Sequence, residues 1–179
     1  MHILIAEDNC VNQRLLERFL QRIGGCTVTI VGNGQQALTY LSSPPATCPR
    51  PDIIFMDISM PIMGGFEATN IIRTQPPFTT DPKIPFTPII AMTASQMRDE
   101  SALLVGRGFD DSMTKPVRSS TLRKLILFWS RGFVAPTIRQ GPGQLGVVVP
   151  RTGNFLPLPP AAQWGPFPLR PFSGPRSLL

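Results

Sequence analysis

The sequence predicts an α/β protein with one doubly wound, five-stranded parallel sheet and helices on both faces. Short apolar runs alternate with segments of helical periodicity five times along the chain, as strand–helix units of a parallel sheet do. Polar residues follow most of these runs, at the points where strands would end. Because crossovers between parallel strands are right-handed, few topologies remain, and the strand order 2-1-3-4-5 fits five strands.

The predicted strands are short, and the first four are rich in apolar residues. They span His2–Ala6, Cys26–Val31, Ile53–Met56, Pro88–Met92 and Asp110–Thr114. The third strand is the clearest, because Ile53–Met56 is an unbroken apolar run of the kind expected for a strand that is buried on both faces. Asp57 follows at its carboxyl end, which is where ligands bind in open α/β sheets.

The predicted helices show apolar residues at spacings of three and four. They cover residues 10–23, Gln35–Leu41, Phe66–Arg73, Gln96–Val105 and about Ser119–Ser130. Asn9 is placed to cap the first of them, and Gly24 and Gly25 are placed to end it. The segment Thr74–Thr87 holds four prolines and is predicted to be a stiff surface loop, because proline is excluded from helix interiors and central strands.

The chain divides into two parts of different composition. Residues 1–131 carry 13 Lys and Arg and 11 Asp and Glu, whereas residues 132–179 carry four Arg, no acid, 10 Pro and seven Gly. A composition rich in Pro and Gly is typical of disordered sequence, so we expect a folded domain over 1–131 and a disordered tail over 132–179. The arginines of the tail offer only nonspecific attraction to nucleic acid.

Cysteine content and hydropathy favour a cytoplasmic protein. The three cysteines, Cys10, Cys26 and Cys48, form an odd set without the spacing of a metal site, which favours reduced thiols. No stretch approaches the ~20 apolar residues of a membrane span, so membrane insertion is not expected.

Polar residues follow four of the predicted strands at what would be one rim of the sheet. They are Glu7, Asp8, Asp57, Thr93 and Lys115. Three carboxylates this close repel one another unless their pKa values rise or a cation lies between them. An open carboxylate cluster suits Mg²⁺, which prefers a few carboxylate oxygens together with water and phosphate oxygens.

The carboxylate cluster also predicts phosphoryl chemistry. With Mg²⁺ offsetting the charge, one carboxylate can attack a phosphoryl group and form an aspartyl phosphate. Lys115 then offers a charge to one phosphoryl oxygen, and Thr93 offers a hydroxyl donor to another. Each residue alone has an ordinary explanation, since Asp8 can cap a helix, Thr93 can belong to a turn and Lys115 can be a solvated cation. Their placement at strand ends on one rim favours a common site.

Four motifs in chain order carry a resemblance to a known family. They are Leu4–Asn9, Phe55–Pro61, Ala91–Ala94 and Met113–Pro116. Together they resemble the receiver domain of two-component response regulators over about residues 2–131, and they are most similar to receivers fused to hybrid sensor histidine kinases. The proline-rich insertion 75–87 is similar to that of fungal members.

The resemblance implies a function in a phosphorelay. It implies that Asp57 accepts a phosphoryl group from a phosphohistidine of a histidine kinase or a histidine phosphotransfer protein. It further implies that Asp8, Asp57 and the backbone carbonyl of Ser59 bind Mg²⁺, with Glu7 acting through water. A receiver of this kind catalyses only its own phosphorylation and dephosphorylation, and it is not a separate enzyme.

The resemblance also implies roles for the last strand and the first helix. Thr93 and Lys115 are expected to contact the phosphoryl group, and the Lys115–Pro116 bond is expected to be cis. The phosphohistidine partner is expected to dock through the first helix, which presents Asn12 near the rim. One residue departs from the family pattern, because many members carry an aromatic residue three positions before the lysine, where this chain has Ser112. Coupling to an output surface is therefore expected to be weak.

Two other functions remain open from the sequence. The first is a metal-dependent phosphohydrolase with an aspartyl nucleophile. Enzymes of the haloacid dehalogenase type use a second aspartate, two residues after the nucleophile, as general acid, and this chain has Ser59 at that position. The second is an interaction module that has lost the ability to be phosphorylated. The presence of all five types of site residue argues against this alternative. The sequence does not decide between a free-standing regulator and a part of a larger hybrid kinase.

Overall fold

Five parallel strands form a single sheet in the computed structural model, which describes residues 1–94, 104 and 106–132. The strands are β1 (His2–Ala6), β2 (Thr27–Val31), β3 (Ile53–Asp57), β4 (Ile89–Thr93) and β5 (Asp111–Thr114). Their order is β2-β1-β3-β4-β5, which confirms the predicted topology. The register aligns Ala6 with Met56 and Asp57 with Met92, so the carboxyl ends of β1, β3 and β4 lie at one edge of the sheet.

Four α-helices are described together with the sheet. They are α1 (Cys10–Ile23), α2 (Gly34–Ser42), α3 (Gly65–Thr74) and α4 (Ser119–Gly132). The side chain of Asn9 accepts hydrogen bonds from the backbone amides of Val11 and Asn12, so it caps α1 as the sequence predicted. In the part of the chain that the structure describes, none of the helices has the length and apolarity needed to cross a membrane. The predicted helix Gln96–Val105 lies almost entirely outside the described residues, and so do residues 133–179.

Apolar side chains cover both faces of the sheet. All residues of β3 and β4 are buried. Alternate side chains of the central strands enter two separate clusters: Leu4 and Ile54 pack with α2 and α3 on one face, whereas Ile3 and Phe55 pack with α1 and α4 on the other. The unbroken apolar run of β3 is thus explained by burial on both faces, as the sequence indicated.

The proline-rich segment Thr74–Thr87 differs from the stiff surface loop that its prolines predicted. It contains two short 3-10 helices, Phe78–Thr80 and Ile84–Phe86. The side chains of Phe78 and Ile84 are 4% and 1% exposed and belong to the same core cluster as α2 and α3. The prolines do exclude the segment from α-helix and sheet. The apolar residues between them nevertheless reach the core, so the segment contributes to the interior of the domain.

Two ion pairs attach the proline-rich segment to the chain that precedes β3. Arg50 Nε donates to Asp81 Oδ2 at 2.7 Å, and Lys83 Nζ donates to Asp52 Oδ1 at 2.5 Å. Burial raises the pKa of Asp81, but hydrogen bonds from the backbone amides of Lys83 and Ile84 and from Arg50 outweigh burial, so the net shift is downward. Ionised Asp81 therefore holds this segment in place.

Arg73, near the end of α3, links the proline-rich segment to the starts of β4 and β5. Its guanidinium donates hydrogen bonds to four oxygen atoms, the carbonyls of Gly108, Pro85 and Thr87 at 3.0, 2.9 and 3.0 Å and Oδ2 of Asp110 at 2.6 Å. The same Asp110 oxygen accepts the backbone amide of Ile89 at 2.7 Å. Gly108 has φ +89°, and a Cβ there would lie 2.9 Å from Arg73 Cγ, so glycine permits this contact. This cluster was not predicted from the sequence.

Candidate metal and phosphoryl-acceptor site

The polar residues that the sequence assigned to one rim lie at the carboxyl ends of four strands. Glu7 and Asp8 follow β1, Asp57 and Thr93 end β3 and β4, and Lys115 follows β5. One carboxylate oxygen from each of Glu7, Asp8 and Asp57 lies within 4.8 Å of the other two. We call these three residues the carboxylate cluster. Its position follows from the strand order, because the switch point between β1 and β3 brings their carboxyl ends together.

Glu7 is fully buried and is fixed by the first turn of α1. Its Oε1 accepts a hydrogen bond from Asn12 Nδ2 at 2.8 Å and a longer one from the backbone amide of Asn9 at 3.4 Å. Its backbone carbonyl accepts a hydrogen bond from Gln13 Nε2 at 2.6 Å. Its Oε2 lies 2.7 Å from Lys115 Nζ, in an ion pair that does not satisfy hydrogen-bond geometry. This buried oxygen therefore has no hydrogen-bond donor among the described residues.

Asp57 is buried at the end of β3, with 4% of its surface exposed. Its Oδ2 accepts a hydrogen bond from Lys115 Nζ at 2.6 Å, and its Oδ1 accepts one from the backbone amide of Ser59 at 3.2 Å. Burial raises the pKa of Asp57, the hydrogen bond from Lys115 lowers it, and the charge of Glu7 raises it again, with a net upward shift. The surroundings of Asp57 therefore disfavour its ionised form.

Lys115 is shared by two carboxylates of the cluster. Burial alone lowers the pKa of its ammonium, but the hydrogen bond to Asp57 and the negative charges of Asp57 and Glu7 outweigh burial and raise that pKa. When all three carboxylates are ionised, they and this one ammonium carry a formal charge of −2. One divalent cation would balance that charge.

The carboxylate cluster fits Mg²⁺ by its ligand type, spacing and charge. Its oxygens lie within 4.8 Å of one another, near enough for one ion with bonds of about 2.1 Å to be shared by them directly or through water. Asp8 is exposed, so solvent reaches the cluster and can supply the waters that Mg²⁺ retains. None of the described residues donates a hydrogen bond to the buried Glu7 Oε2, and a metal-bound water would supply one.

Thr93 connects the end of β4 to Lys115. It is 6% exposed, and its backbone carbonyl accepts the backbone amide of Lys115 at 2.7 Å. The last residue of β4 thus helps to fix where Lys115 leaves β5. The Lys115–Pro116 peptide bond is cis, as the resemblance implied.

The loop after Asp57 approaches the strand end closely. A Cβ at Gly65 would overlap the Asp57 carbonyl group, so glycine is required there. Ile62 has φ +69°, and Met63 donates its backbone amide to the Pro61 carbonyl at 2.7 Å, which closes a three-residue turn around Ile62. Ile62 is 83% exposed, so this strained residue presents an apolar side chain to solvent beside the site.

Two residues that hold Glu7 were not identified from the sequence. The sequence placed Asn12 near the rim but did not predict its hydrogen bond to Glu7, and it gave no role to Gln13. A signal existed, because both are polar residues in the first turns of a helix that directly follows two acids. An amide at such a position can reach back to the end of the preceding strand.

A family model identifies the domain to which these features belong. Residues 3–127 match the model of the response regulator receiver domain, and the four motifs noted in the sequence lie within that range. The chain belongs to the response regulator receiver domain family, which confirms the resemblance seen in the sequence. It is a receiver domain of phosphorelay signalling.

Individual relatives agree with this assignment. The chain is 33% identical over 128 residues to Two-component system protein A of Emericella nidulans and 33% identical over 126 residues to Transcription factor SKN7 of Saccharomyces cerevisiae. These matches cover 72% and 70% of this chain, but only 17% and 18% of the two relatives, so the chain spans less than a fifth of their length.

Solved structures show the same fold. One is the receiver domain of sensor histidine kinase PA1611 from Pseudomonas aeruginosa PAO1, which holds a magnesium ion coordinated in its active site cleft. It is 32% identical to this chain with a TM-score of 0.58, and the match covers 72% of this chain and 95% of that one.

Proposed function

We propose that this receiver accepts a phosphoryl group on Asp57, from a phosphohistidine of a histidine kinase or a histidine phosphotransfer protein, in a Mg²⁺-dependent step. One observation carries the proposal: the Asp57 carboxylate lies within 4.8 Å of two other carboxylates and 2.6 Å from the Lys115 ammonium. A nucleophile, a cation for phosphoryl oxygens and oxygen ligands for a metal thus share one cluster. The magnesium ion in the PA1611 receiver supports the metal requirement.

The metal would be held by Asp8, Asp57 and the backbone carbonyl of Ser59, with Glu7 acting through a bound water. When bound, Mg²⁺ offsets the charge of the cluster and of the incoming phosphoryl oxygens. Asn12 holds Oε1 of Glu7, which keeps the side chain of Glu7 oriented and leaves Oε2 available to a water.

The transfer forms one bond and breaks one. A carboxylate oxygen of Asp57 attacks phosphorus while the P–N bond to the donor imidazole breaks, and its electron pair returns to the ring nitrogen. A donor ring that is protonated on its other nitrogen leaves as neutral imidazole. Lys115, which donates to Asp57 Oδ2, would transfer that hydrogen bond to a phosphoryl oxygen, and Thr93, at the end of β4, would donate its hydroxyl to another.

We restrict the proposed catalysis to the chain's own phosphorylation and dephosphorylation. Hydrolases of the haloacid dehalogenase type have a second aspartate as general acid at the position that Ser59 occupies here. Steady turnover of an external phosphomonoester is therefore not expected. The carboxylate cluster and Lys115 are both present, which also argues against an interaction module that has lost the ability to be phosphorylated.

The phosphohistidine partner is proposed to dock on α1 and the loop after Asp57. Val11 in the first turn of α1 is 68% exposed, and Ile62 in that loop is 83% exposed, so both elements that border the cluster offer apolar contact area. Arg14 and Arg18 are exposed further along α1. Reversing the charge at either should change the rate of phosphotransfer and its salt dependence.

The cellular compartment of the domain and the kind of protein that contains it are also proposals. We propose a cytoplasmic receiver, either part of a hybrid histidine kinase or a stand-alone response regulator. Cys10, Cys26 and Cys48 are all free, which supports a reducing compartment. We propose no sequence-specific contact with nucleic acid.

Incubation with acetyl phosphate tests the acceptor assignment. Intact-mass measurement should show one added phosphoryl group with Mg²⁺ and none with EDTA or in Asp57→Asn. Asp52→Asn is a matched control, because Asp52 precedes the same strand and also pairs with a lysine, Lys83. This variant should be modified like the native chain. Phosphorylation of Asp57→Asn would refute the assignment.

A further inference from the structure

An open groove lies between α1 and α4 and contains none of the residues of the carboxylate cluster. Three of its lining residues are apolar, Phe19, Ile23 and Leu127, and three are cationic, Arg22, Arg123 and Lys124. On each helix these residues are separated by one, three or four positions, so each helix contributes one continuous stripe. We call this surface the α1–α4 groove.

The α1–α4 groove carries positive charge that the described structure does not compensate. Arg22, Arg123 and Lys124 are exposed, and none of them forms an ion pair within the described ranges. No acidic residue of the described part of the chain lines the groove, and Glu17, the only acid of α1, is not among its lining residues. α4 contains no acid. Cations concentrated on one surface attract a partner of opposite charge.

Apolar surface lies beside these cations. Phe19 and Ile23 pack partly against the core cluster beneath α1 and α4, and Leu127 is 41% exposed. This combination favours a protein segment over a nucleic acid, because a phosphate backbone has no apolar side chains to bury against Leu127. It also disfavours symmetric pairing of two copies through this groove, since that contact would place like charges opposite one another.

We infer that the α1–α4 groove binds an acidic amphipathic segment of a partner protein. Its carboxylates pair with Arg22, Arg123 and Lys124, and its apolar side chains cover Leu127 and the exposed part of Phe19. The inference goes beyond the proposed phosphoryl transfer, because no residue of the carboxylate cluster takes part. Binding therefore does not depend on phosphorylation of Asp57.

A labelled synthetic helical peptide tests this inference, with glutamates on both sides of a leucine stripe. Fluorescence anisotropy with the full chain should show saturable binding that weakens as ionic strength rises. Two other probes accompany it, a scrambled peptide of the same composition and an oligothymidylate. Both should bind less tightly than the amphipathic peptide.

Variants in the groove make the test specific. Arg22→Glu combined with Arg123→Glu should lower the affinity for the peptide by about tenfold or more. Leu127→Ser should lower it by about three- to fivefold, because part of the apolar contact is lost. Arg14→Glu is the matched control, an exposed cation of α1 outside the groove, and should change the affinity by less than about twofold. Phosphorylation from acetyl phosphate should be unchanged in the two groove variants, which shows that they are folded.

Three results would overturn the inference. They are absence of saturable binding to the native chain, equal binding of the scrambled peptide, and tighter binding of the oligothymidylate with the same loss in the groove variants. Each is independent of the acceptor assignment, because Asp57→Asn should bind the peptide like the native chain. Failure of phosphorylation with intact peptide binding would instead count against the proposed function alone.

Discussion

Lys115 sets how much negative charge the rim can hold without a metal. Its ammonium lies 2.6 Å from an Asp57 oxygen and 2.7 Å from a Glu7 oxygen, yet the pKa of Asp57 stays raised because burial and the charge of Glu7 outweigh this one cation. An aspartate with a higher pKa in the folded chain than in the unfolded chain adds stability below its unfolded pKa. That stability is lost as the pH rises through the folded pKa. Ionised Asp57 therefore lowers the stability of the metal-free fold at neutral pH.

Asp57→Asn should consequently raise the melting temperature in EDTA at neutral pH. A change of about 1 kcal/mol corresponds to about 2–4 °C for a chain of this size. The difference should shrink as the pH falls below the pKa of Asp57, and added Mg²⁺ should stabilise the native chain more than the variant. Thermal unfolding followed by circular dichroism across this pH range measures both effects. An Asn variant that melts several degrees below the native chain in EDTA would contradict this reading.

Asn12 allows a second test of the metal site, because its side-chain amide donates a hydrogen bond to Glu7 Oε1 at 2.8 Å. Asn12→Ala should free the Glu7 side chain to rotate and weaken Mg²⁺ binding by about tenfold. Isothermal titration with Mg²⁺ measures the affinity directly. Asn70→Ala is a suitable control, since Asn70 is an exposed asparagine of α3 outside the cluster. Equal Mg²⁺ affinities for the two variants would show that Asn12 does not orient the site.

At the scale of elements, Arg73 joins a helix to three other parts of the fold. Its four hydrogen bonds reach the proline-rich segment, the turn before β5 and Asp110, which in turn accepts the first amide of β4. Burial lowers the pKa of Arg73, while the charge and hydrogen bond of Asp110 oppose that effect. Removing the guanidinium would leave Asp110 and three carbonyls without this donor.

Arg73→Met should therefore destabilise the domain by about 2–3 kcal/mol, less than for a fully buried pair because the side chain of Asp110 is 35% exposed. Urea unfolding of the full chain measures the free energy of unfolding. Arg14→Met, at an exposed position, should change it by less than about 0.5 kcal/mol. Adding Asp110→Asn to Arg73→Met should recover part of the loss, because the unpaired charge is then removed. Equal stabilities for the two arginine variants would refute the structural role of Arg73.

Ser112 of β5 is the residue that departs from the family pattern noted in the sequence, and aromatic side chains near it come from α4. Ser112 lies in β5 where many receivers have an aromatic residue, whereas Trp129 of α4 donates Nε1–H to Asp111 Oδ2 at 3.3 Å. Phe128 packs edge-on against Trp129. We expect Thr93 to move toward a bound phosphoryl group, and the small side chain of Ser112 cannot fill the space that this movement would vacate. A ligand shifts a conformational equilibrium only by its differential interaction with the two states. Phosphorylation of Asp57 should therefore change the conformation of the surface that includes β5 and α4 only weakly.

Hydrogen exchange with and without beryllofluoride, a phosphoryl mimic, tests this expectation over residues 96–130. Protection should change little in the native chain and more in Ser112→Tyr, which restores a ring at this position. Large changes of equal size in both proteins would show that Ser112 does not limit the coupling.

The sequence predicted those elements whose cause is local. The strand order and the position of Asp57 followed from alternating apolar runs and from the rule that the carboxyl ends of parallel strands meet at one edge. The burial of Phe78 and Ile84 was missed because prolines report backbone restriction but not where neighbouring side chains point. The contacts of Arg73 and Asp110 were missed because they join residues 37 positions apart, and no periodicity encodes such a pair. The hydrogen bond from Asn12 to Glu7 depends likewise on side-chain direction.

At the scale of the whole domain, the acids at the amino edge of the sheet and those at its carboxyl edge differ in how many cationic partners they have. At the amino edge, Asp52 accepts the backbone amide of His2 at 2.7 Å and pairs with Lys83, while Asp81 pairs with Arg50. Each of these acids has a cationic partner. At the carboxyl edge, Glu7 and Asp57 of the carboxylate cluster share one ammonium, that of Lys115. The amino edge is therefore suited to stability and the carboxyl edge to binding a cation and a phosphoryl group.

The folded part of the chain should not need the tail for either property. The family match ends at residue 127, and α4 (Ser119–Gly132) already supplies Leu122 and Ile126 to the core cluster beneath it. The sequence after Gly132 is rich in Pro and Gly and lacks apolar periodicity. A chain that ends at Gly132 should therefore melt within a few degrees of the full chain, since changes outside a core seldom exceed about 0.5 kcal/mol. It should also accept a phosphoryl group on Asp57 from acetyl phosphate at the same rate. Calorimetry and intact-mass kinetics on both chains provide the comparison, and loss of cooperative unfolding in the shorter chain would show that residues beyond 132 belong to the folded domain.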